Sequence, residues 1–312
     1  MSSSVHARSS SRSANEASSH SGPFVTRANG FSVIDCKACG FRHVHPMPEA
    51  DNLVSLYAQD YYATTKPTYF VHAKEDEPWA QLAYDDRLDA MTAHLRTNER
   101  RLVDVGAGPG SFLAHAQMRG WDVKGLEPSH QAAAYCRARD LDVTEAFLST
   151  ESVATLGLAD AVHLMNMLEH VPDAAATLEL AVTILAPGGV LCVGVPNDYN
   201  PLQRLLSARE FAPWWVAPPH HLNYFDFDSL EGLVRRVGLR PHARLTSFPM
   251  ELFPVFGRNY IGNDALGRVC HNERKRFDID LDQAAPGRRR ALYQALAEAG
   301  FGREAIIIAT KD

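Results

Sequence analysis

The sequence predicts an α/β protein: a doubly wound, Rossmann-like parallel sheet with helices on both faces. Three observations lead there. From residue 101 short apolar runs alternate with amphipathic segments, and such alternation with short connections marks a parallel sheet. The first run, RLVDV, leads into DVGAGPG, where Gly106, Gly108 and Gly110 stand within five residues. The second run ends in GLEPS, placing Glu127 roughly 20 positions beyond the glycines, where an acidic residue accepts ribose hydroxyls in nucleotide-binding sheets.

The elements follow in order. Tyr84, Leu88, Met91 and Leu95 recur at spacings of four, three and four, which puts them on one face of a helix over residues 80–96. RLVDV then reads as a strand, SFLAHAQMRG as a helix, DVKGLE as a strand, HQAAAYCRARD as a helix, and DVTEA as a short strand. DAVHLM, a helix from about Asp173 to Leu185, and the strand GVLCVGVP continue the alternation. Further on, Asp228 and Glu231 resemble a capping box for DSLEGLVRR, and Gly238 supplies its stop. HARLTSF and EAIIIAT are strands separated by about 50 residues that include an amphipathic helix near RRRALYQALAEAG. An insertion that long is more often a lid or binding element than a turn.

Composition bounds the function. The chain has 312 residues, 46% hydrophobic and 22% charged, with a formal net charge of −6 and no long basic run. That balance argues against sequence-independent nucleic-acid binding. No uncharged apolar stretch of about 18 residues exists to span a membrane. Residues 1–23, rich in serine and without an apolar signal core, read as a disordered tail. Five scattered cysteines make no disulfide framework, which fits a reducing cytoplasm. The expected organisation is that tail, an N-terminal cap over 24–79, and a main domain over 80–312 with a lid at 249–302.

Glycines without Cβ atoms permit a tight strand-to-helix turn whose free N–H groups face a ligand. A nicotinamide dinucleotide calls for G-x-G-x-x-G, whereas Gly106, Gly108 and Gly110 give G-x-G-x-G and Ser111 stands at the last glycine's place. VDVGAGPGSFL, GLEPS, DAVHLMNMLEHVPD and LAPGGVLCVGVPN, in this order, resemble the class I S-adenosylmethionine-dependent methyltransferases over about residues 80–247. The likeness is greatest to a bacterial small-molecule branch whose chains begin with a CxxCG segment and run through LEH, PGG and PxHxNYF. It implies a seven-stranded sheet whose last, antiparallel strand EAIIIAT supplies. It also implies S-adenosylmethionine as cofactor, with Asp104 and the loop Gly106, Ala107, Gly108 and Gly110, together with Phe112, at its amino-acid end. Glu127 would take the ribose, Phe147 or its neighbours the adenine, and Asn166, Met167 and Leu168 the methionine side.

Two histidines are candidates for proton transfer. His170, in NMLEHVPD, directly follows a strand, and an imidazole titrating near neutrality suits a base; a loop-orienting role with Glu169 is the favoured alternative. His221, in WWVAPPHHLNYF, is flanked by Trp214, Trp215, Tyr224 and Phe225, as in an apolar pocket with one polar group inside. His220 beside it is expected to be exposed.

FSVIDCKACGFRHVHP sets Cys36 and Cys39 before His43 and His45, residue types that bind tetrahedral zinc. No second cysteine pair follows, so a hairpin that has lost its metal is the favoured reading. NLVSLYAQDYY suggests a short helix carrying Tyr57, Tyr61 and Tyr62, either covering a cofactor or packing on the surface. The expectation is a cytoplasmic enzyme that methylates oxygen or carbon of a small metabolite, sugar or natural-product intermediate. The alternatives are an inactive cofactor-binding partner subunit and, less favoured, an NAD(P)-dependent oxidoreductase.

Overall fold

The computed structural model describes residues 20–48, 69–96 and 99–312. Tyr57, Tyr61 and Tyr62 lie outside the described residues. The main sheet has seven strands: β4 (Arg101–Val105), β5 (Asp122–Leu126), β6 (Val143–Thr144), β7 (Ala159–Met165), β8 (Leu185–Pro196), β10 (Leu239–Leu245) and β11 (Glu304–Lys311). Their spatial order is β6-β5-β4-β7-β8-β11-β10, with β11 antiparallel to both neighbours and β4 to β8 mutually parallel. The chain runs outward from β4 to β6, then returns past β4 to β7 and β8. The switch point therefore falls between β4 and β7, where ligands of open α/β sheets bind.

Two apolar layers cover the sheet. On one face Leu88 and Met91 of α1 (Tyr69–His94), Leu113 and Ala116 of α2 (Ser111–Met118) and Ala133 and Cys136 of α3 (His130–Arg137) pack on Leu102, Val123 and Val190. On the other, α4 (Thr150–Leu156), α5 (Ala174–Ile184) and α7 (Phe227–Arg236) bury Leu156, Leu178, Ile184, Leu230 and Leu233 against Val103, Val162 and Leu191. Helix α6 (Pro201–Ala208) follows β8. The cap of α7 differs from expectation: Asp226 and Ser229 form the reciprocal box, two residues before the anticipated pair. Asp228 and Glu231 bind Arg244 instead.

The N-terminal segment forms a second, antiparallel sheet of β1 (Phe24–Ala28), β2 (Phe31–Cys36) and β3 (Phe41–His45). Its fourth strand is β9 (Asn223–Tyr224), donated by the main domain, so cap and body share one sheet. Residues of the expected tail also join it: the carbonyls of Ser21 and Pro23 accept from Lys37 and Asp35 N–H. The insertion holds the short α8 (Leu252–Val255), α9 (Asp264–Ala284) and α10 (Arg288–Glu298). Buried Arg289 of α10 grips Asp86 of α1 through two nitrogens at 2.7 and 3.0 Å, and Trp79 Nε1 donates to Asp278 of α9 at 2.7 Å. The expected lid is thus clamped onto α1.

Gly110 shows how tightly the glycine loop is packed. Its φ of 72° is left-handed, and a Cβ there would lie 2.7 Å from Leu141 Cδ1 and 2.8 Å from Cys136 Sγ. Gly110→Ala should therefore cost about 1–3 kcal/mol or more by overpacking and backbone strain combined. Urea unfolding would show this as a lowered midpoint; an unchanged midpoint would contradict the packing.

Candidate active site

The carboxyl ends of β4, β5, β7 and β8 open into a cavity of about 920 Å³, near the upper end of the roughly 300–1,000 Å³ of small-ligand sites. Gly106 and Ala107 N–H both donate to the Leu126 carbonyl, at 2.8 and 2.9 Å, which ties the loop to the tip of β5. From behind, the Cys136 thiol donates to the Gly108 carbonyl and Arg139 to that of Pro109. Gly106 and Gly108 take φ of 78° and 54°, and both line the cavity with Ala107 and Phe112. Gly110 does not; its missing Cβ serves the packing of α2 on α3.

Glu127 is 5% exposed and accepts two backbone N–H groups, Gly108 at 2.8 Å on Oε2 and Ser129 at 2.9 Å on Oε1. Burial pushes its carboxyl above the usual range, the two N–H groups hold it back, and Asp104 adds to the rise. Each oxygen keeps a lone pair for a ligand hydroxyl. Asp104 at the end of β4 accepts from His163 Nδ1 at 2.7 Å. Phe112 stacks on the His163 ring with centroids 3.6 Å apart, and Arg87 NH1 lies 3.4 Å from its Nε2. Burial lowers the His163 pKa despite Asp104. The imidazole is therefore neutral, and Nε2 accepts from the guanidinium while Nδ1–H serves the carboxylate. His163 and Arg87 were missed in the sequence, although a lone histidine inside the buried strand DAVHLM was a signal.

Of the anticipated methionine-side residues, Asn166 (φ 52°) and Met167 line the cavity, but Leu168 is fully buried in the core and out of the wall. Phe147 stands half-exposed at the rim. His170 and His221, distant in sequence, meet edge to face with ring centroids 5.0 Å apart, and both line the cavity. His170 Nδ1 donates to the His220 carbonyl at 2.6 Å, and Nε2 lies 3.5 Å from Glu169 Oε1, so this ring holds the loop before β9. His220, expected to be exposed, is half-buried. Trp214 and Trp215 wall the cavity as expected, whereas Tyr224 and Phe225 are fully buried, Phe225 against Phe41 of the cap.

Asp198, just past β8, is a wall residue that the sequence did not flag; it is 2% exposed. Burial, then the nearby carboxylates Glu169 and Glu251, raise its pKa well above the ordinary value. A folded-state pKa above the unfolded one gives stability that is complete below the unfolded value and lost as pH rises through the folded value. Asp198→Asn should abolish that loss, so the variant's Tm should gain on the parent as pH rises. A Tm difference independent of pH would contradict it. The wall also includes Arg303 and Arg274; burial, then Arg303, bring Arg274 down to about 10, and its guanidinium sits 4.7 Å over Trp79.

Residues 77–243 match the family model described as a methyltransferase domain, more than half of the chain. The chain belongs to the class I S-adenosylmethionine-dependent methyltransferases. This methyltransferase is 36% identical over 191 residues to a ubiquinone biosynthesis O-methyltransferase of Ralstonia nicotianae, an alignment covering 57% of this chain and 77% of that one. A protein of the same description from Methylococcus capsulatus is 33% identical over 117 residues, but there the match spans only 49% of the relative's length. Among solved structures, a SAM-dependent methyltransferase from Archaeoglobus fulgidus superposes with TM-score 0.50 at 16% identity, covering 78% of this chain and 99% of that one. The plantazolicin methyltransferase BamL gives 0.51 at 12%, covering 83% and 94%. Both likenesses concern the fold. The family match begins at residue 77, so β1–β3 lie outside it.

S-adenosylmethionine fits the cavity on the chain's own terms. The loop of Gly106 and Gly108 presents bare backbone, Glu127 presents two oxygens with spare lone pairs, and the Asp104 carboxyl lies at the strand tip. When bound, the cofactor supplies a methyl group on a sulfonium. Among the described residues no helix is long and apolar enough to cross a membrane.

Proposed function

We propose that this enzyme methylates a hydroxyl oxygen of a small acceptor with an apolar body, with His221 as the base that takes the hydroxyl proton. The observation that carries the reading is the His170–His221 pair beside Trp214 and Trp215 on the cavity wall. A hydroxyl must lose its proton as the O–CH3 bond forms, whereas an amine can attack first. A base on the cavity wall serves an oxygen acceptor, the aromatic side chains suit an apolar body, and displacement itself needs donor and acceptor held in line in a site that excludes water. The relatives described as O-methyltransferases support the same atom.

Cofactor binding divides among named residues. Glu127 accepts from the ribose hydroxyls. Asp104 faces the ammonium of the methionine end, and Arg87, held by His163, faces its carboxylate. Phe147 and Leu148 cover the adenine at the rim. On the side of the insertion the wall carries both charges, Arg274 and Arg303 standing among Asp76, Asp278 and Glu304, so the acceptor's far end meets polar groups of either sign.

The test is a panel of hydroxylated aromatic acids and their amine and carbon counterparts, scored by S-adenosylhomocysteine release. Turnover with hydroxylated members is expected. Preference for amine acceptors would overturn the oxygen assignment. Tight cofactor binding without turnover on any member would favour the inactive partner-subunit reading.

A further inference from the structure

We propose that His20, Cys36, Cys39 and His43 form a structural zinc site that staples the N-terminal cap. Their four donor atoms all lie within 4.8 Å of one another. His20 Nδ1 is 3.3 Å from Cys39 Sγ, 3.7 Å from Cys36 Sγ and 3.3 Å from His43 Nε2. A tetrahedral ion with metal–sulfur bonds of about 2.3 Å and metal–nitrogen bonds of about 2.0–2.1 Å would have edges of roughly 3.3–3.8 Å between its ligands. The three measured edges fall in that range.

Hydrogen bonding does not account for this convergence. One ring nitrogen of a neutral imidazole offers either one proton or one lone pair, yet two sulfurs and a second ring nitrogen crowd His20 Nδ1. His43 Nδ1–H donates to the Val44 carbonyl at 2.7 Å, which leaves the Nε2 lone pair directed at the cluster. Such an outer hydrogen bond is the usual device for setting a ligating tautomer. Cys36 and His43 are 1% and 2% exposed, and neither cysteine is in a disulfide. Two thiolates and two imidazoles at tetrahedral spacing select zinc over hard cations.

The sequence pattern concealed this set. His45, the expected partner of His43, is outside the cluster; the fourth ligand is His20, from the segment that reads as tail. Of the six buried residues in the small cluster under the cap only Val33 and Val44 come from β1–β3, the others being Trp215, Val216, Leu222 and Tyr224, and so small an apolar contribution is the situation in which a metal adds folding energy. The staple also bears on the main domain. His43 pairs in register with Asn223 of β9, whose side-chain amide donates to the Leu168 and Val171 carbonyls flanking Glu169 and His170.

Elemental analysis of the full-length protein, purified under reducing conditions, should find close to one zinc per chain. After chelation, Co²⁺ should restore the visible bands of a tetrahedral sulfur–nitrogen site. His20→Ala should weaken metal affinity by more than the roughly 10–100-fold that outer-shell changes cost, and lower the Tm. His20→Cys, which restores a donor, should keep the metal. Because His20 precedes β1, these variants leave the sheet's own pairing intact, and circular dichroism confirms that they fold. Absence of zinc together with no cobalt spectrum would overturn the proposal, as would a Cys36–Cys39 disulfide in the reduced preparation or undiminished affinity in His20→Ala.

Discussion

Glu127→Gln should weaken S-adenosylmethionine binding by about 10- to 100-fold, the cost of losing hydrogen bonds to a charged partner worth roughly 1.5–3 kcal/mol. The substitution acts twice. It removes the carboxylate proposed to accept the ribose hydroxyls, and it sets an amide NH2 against either the Gly108 or the Ser129 N–H, both of which now donate to the carboxylate. The sign of the pH dependence follows from burial. The Glu127 pKa is raised, and the ribose hydroxyls favour the ionised form, so affinity in the parent should fall as pH drops through that raised value. Stability of the cofactor-free protein should carry the opposite slope from this group, since a raised folded-state pKa adds stability towards acid and loses it as pH rises. Calorimetric titration over the acidic range would check both. A parent and variant with parallel affinity profiles would remove Glu127 from the ribose site.

His221→Gln should lower kcat by about 10²- to 10⁴-fold, the usual contribution of a positioned base, with cofactor affinity unchanged. His170→Gln should behave differently. His170 Nδ1 holds the His220 carbonyl, so this variant should disturb the placement of His221, raising the acceptor KM as well as lowering kcat. Full turnover in His221→Gln would exclude it from the chemistry and leave the pair as a packing contact.

That Asp104, the glycine loop and Glu127 share one rim was legible because they are close along the chain. RLVDV, DVGAGPG and GLEPS place Asp104, the loop and Glu127 within 24 residues, and two adjacent parallel strands carry them to one rim whatever the rest does. The errors at this rim were local. Gly110 is spent on the contact with Cys136 and Leu141, and Leu168 is turned into the core, because period and motif do not reveal which way a loop side chain points. His163 and Arg87 come from β7 and α1, on either side of Asp104 in sequence, and only packing sets them against it.

By itself the sequence determined the alternation of strands and helices and the glycine turn with a carboxylate at the end of the next strand. Each of these rests on short-range periodicity or on glycine's freedom at positive φ. The tertiary structure alone decided that His170 meets His221, that Arg289 clamps the insertion to Asp86, and that β9 completes the cap's sheet beside a cluster closed by His20. Those contacts join residues tens to hundreds of positions apart. They follow from how the packed layers and the cap's sheet pair in space, which no local pattern of residues encodes.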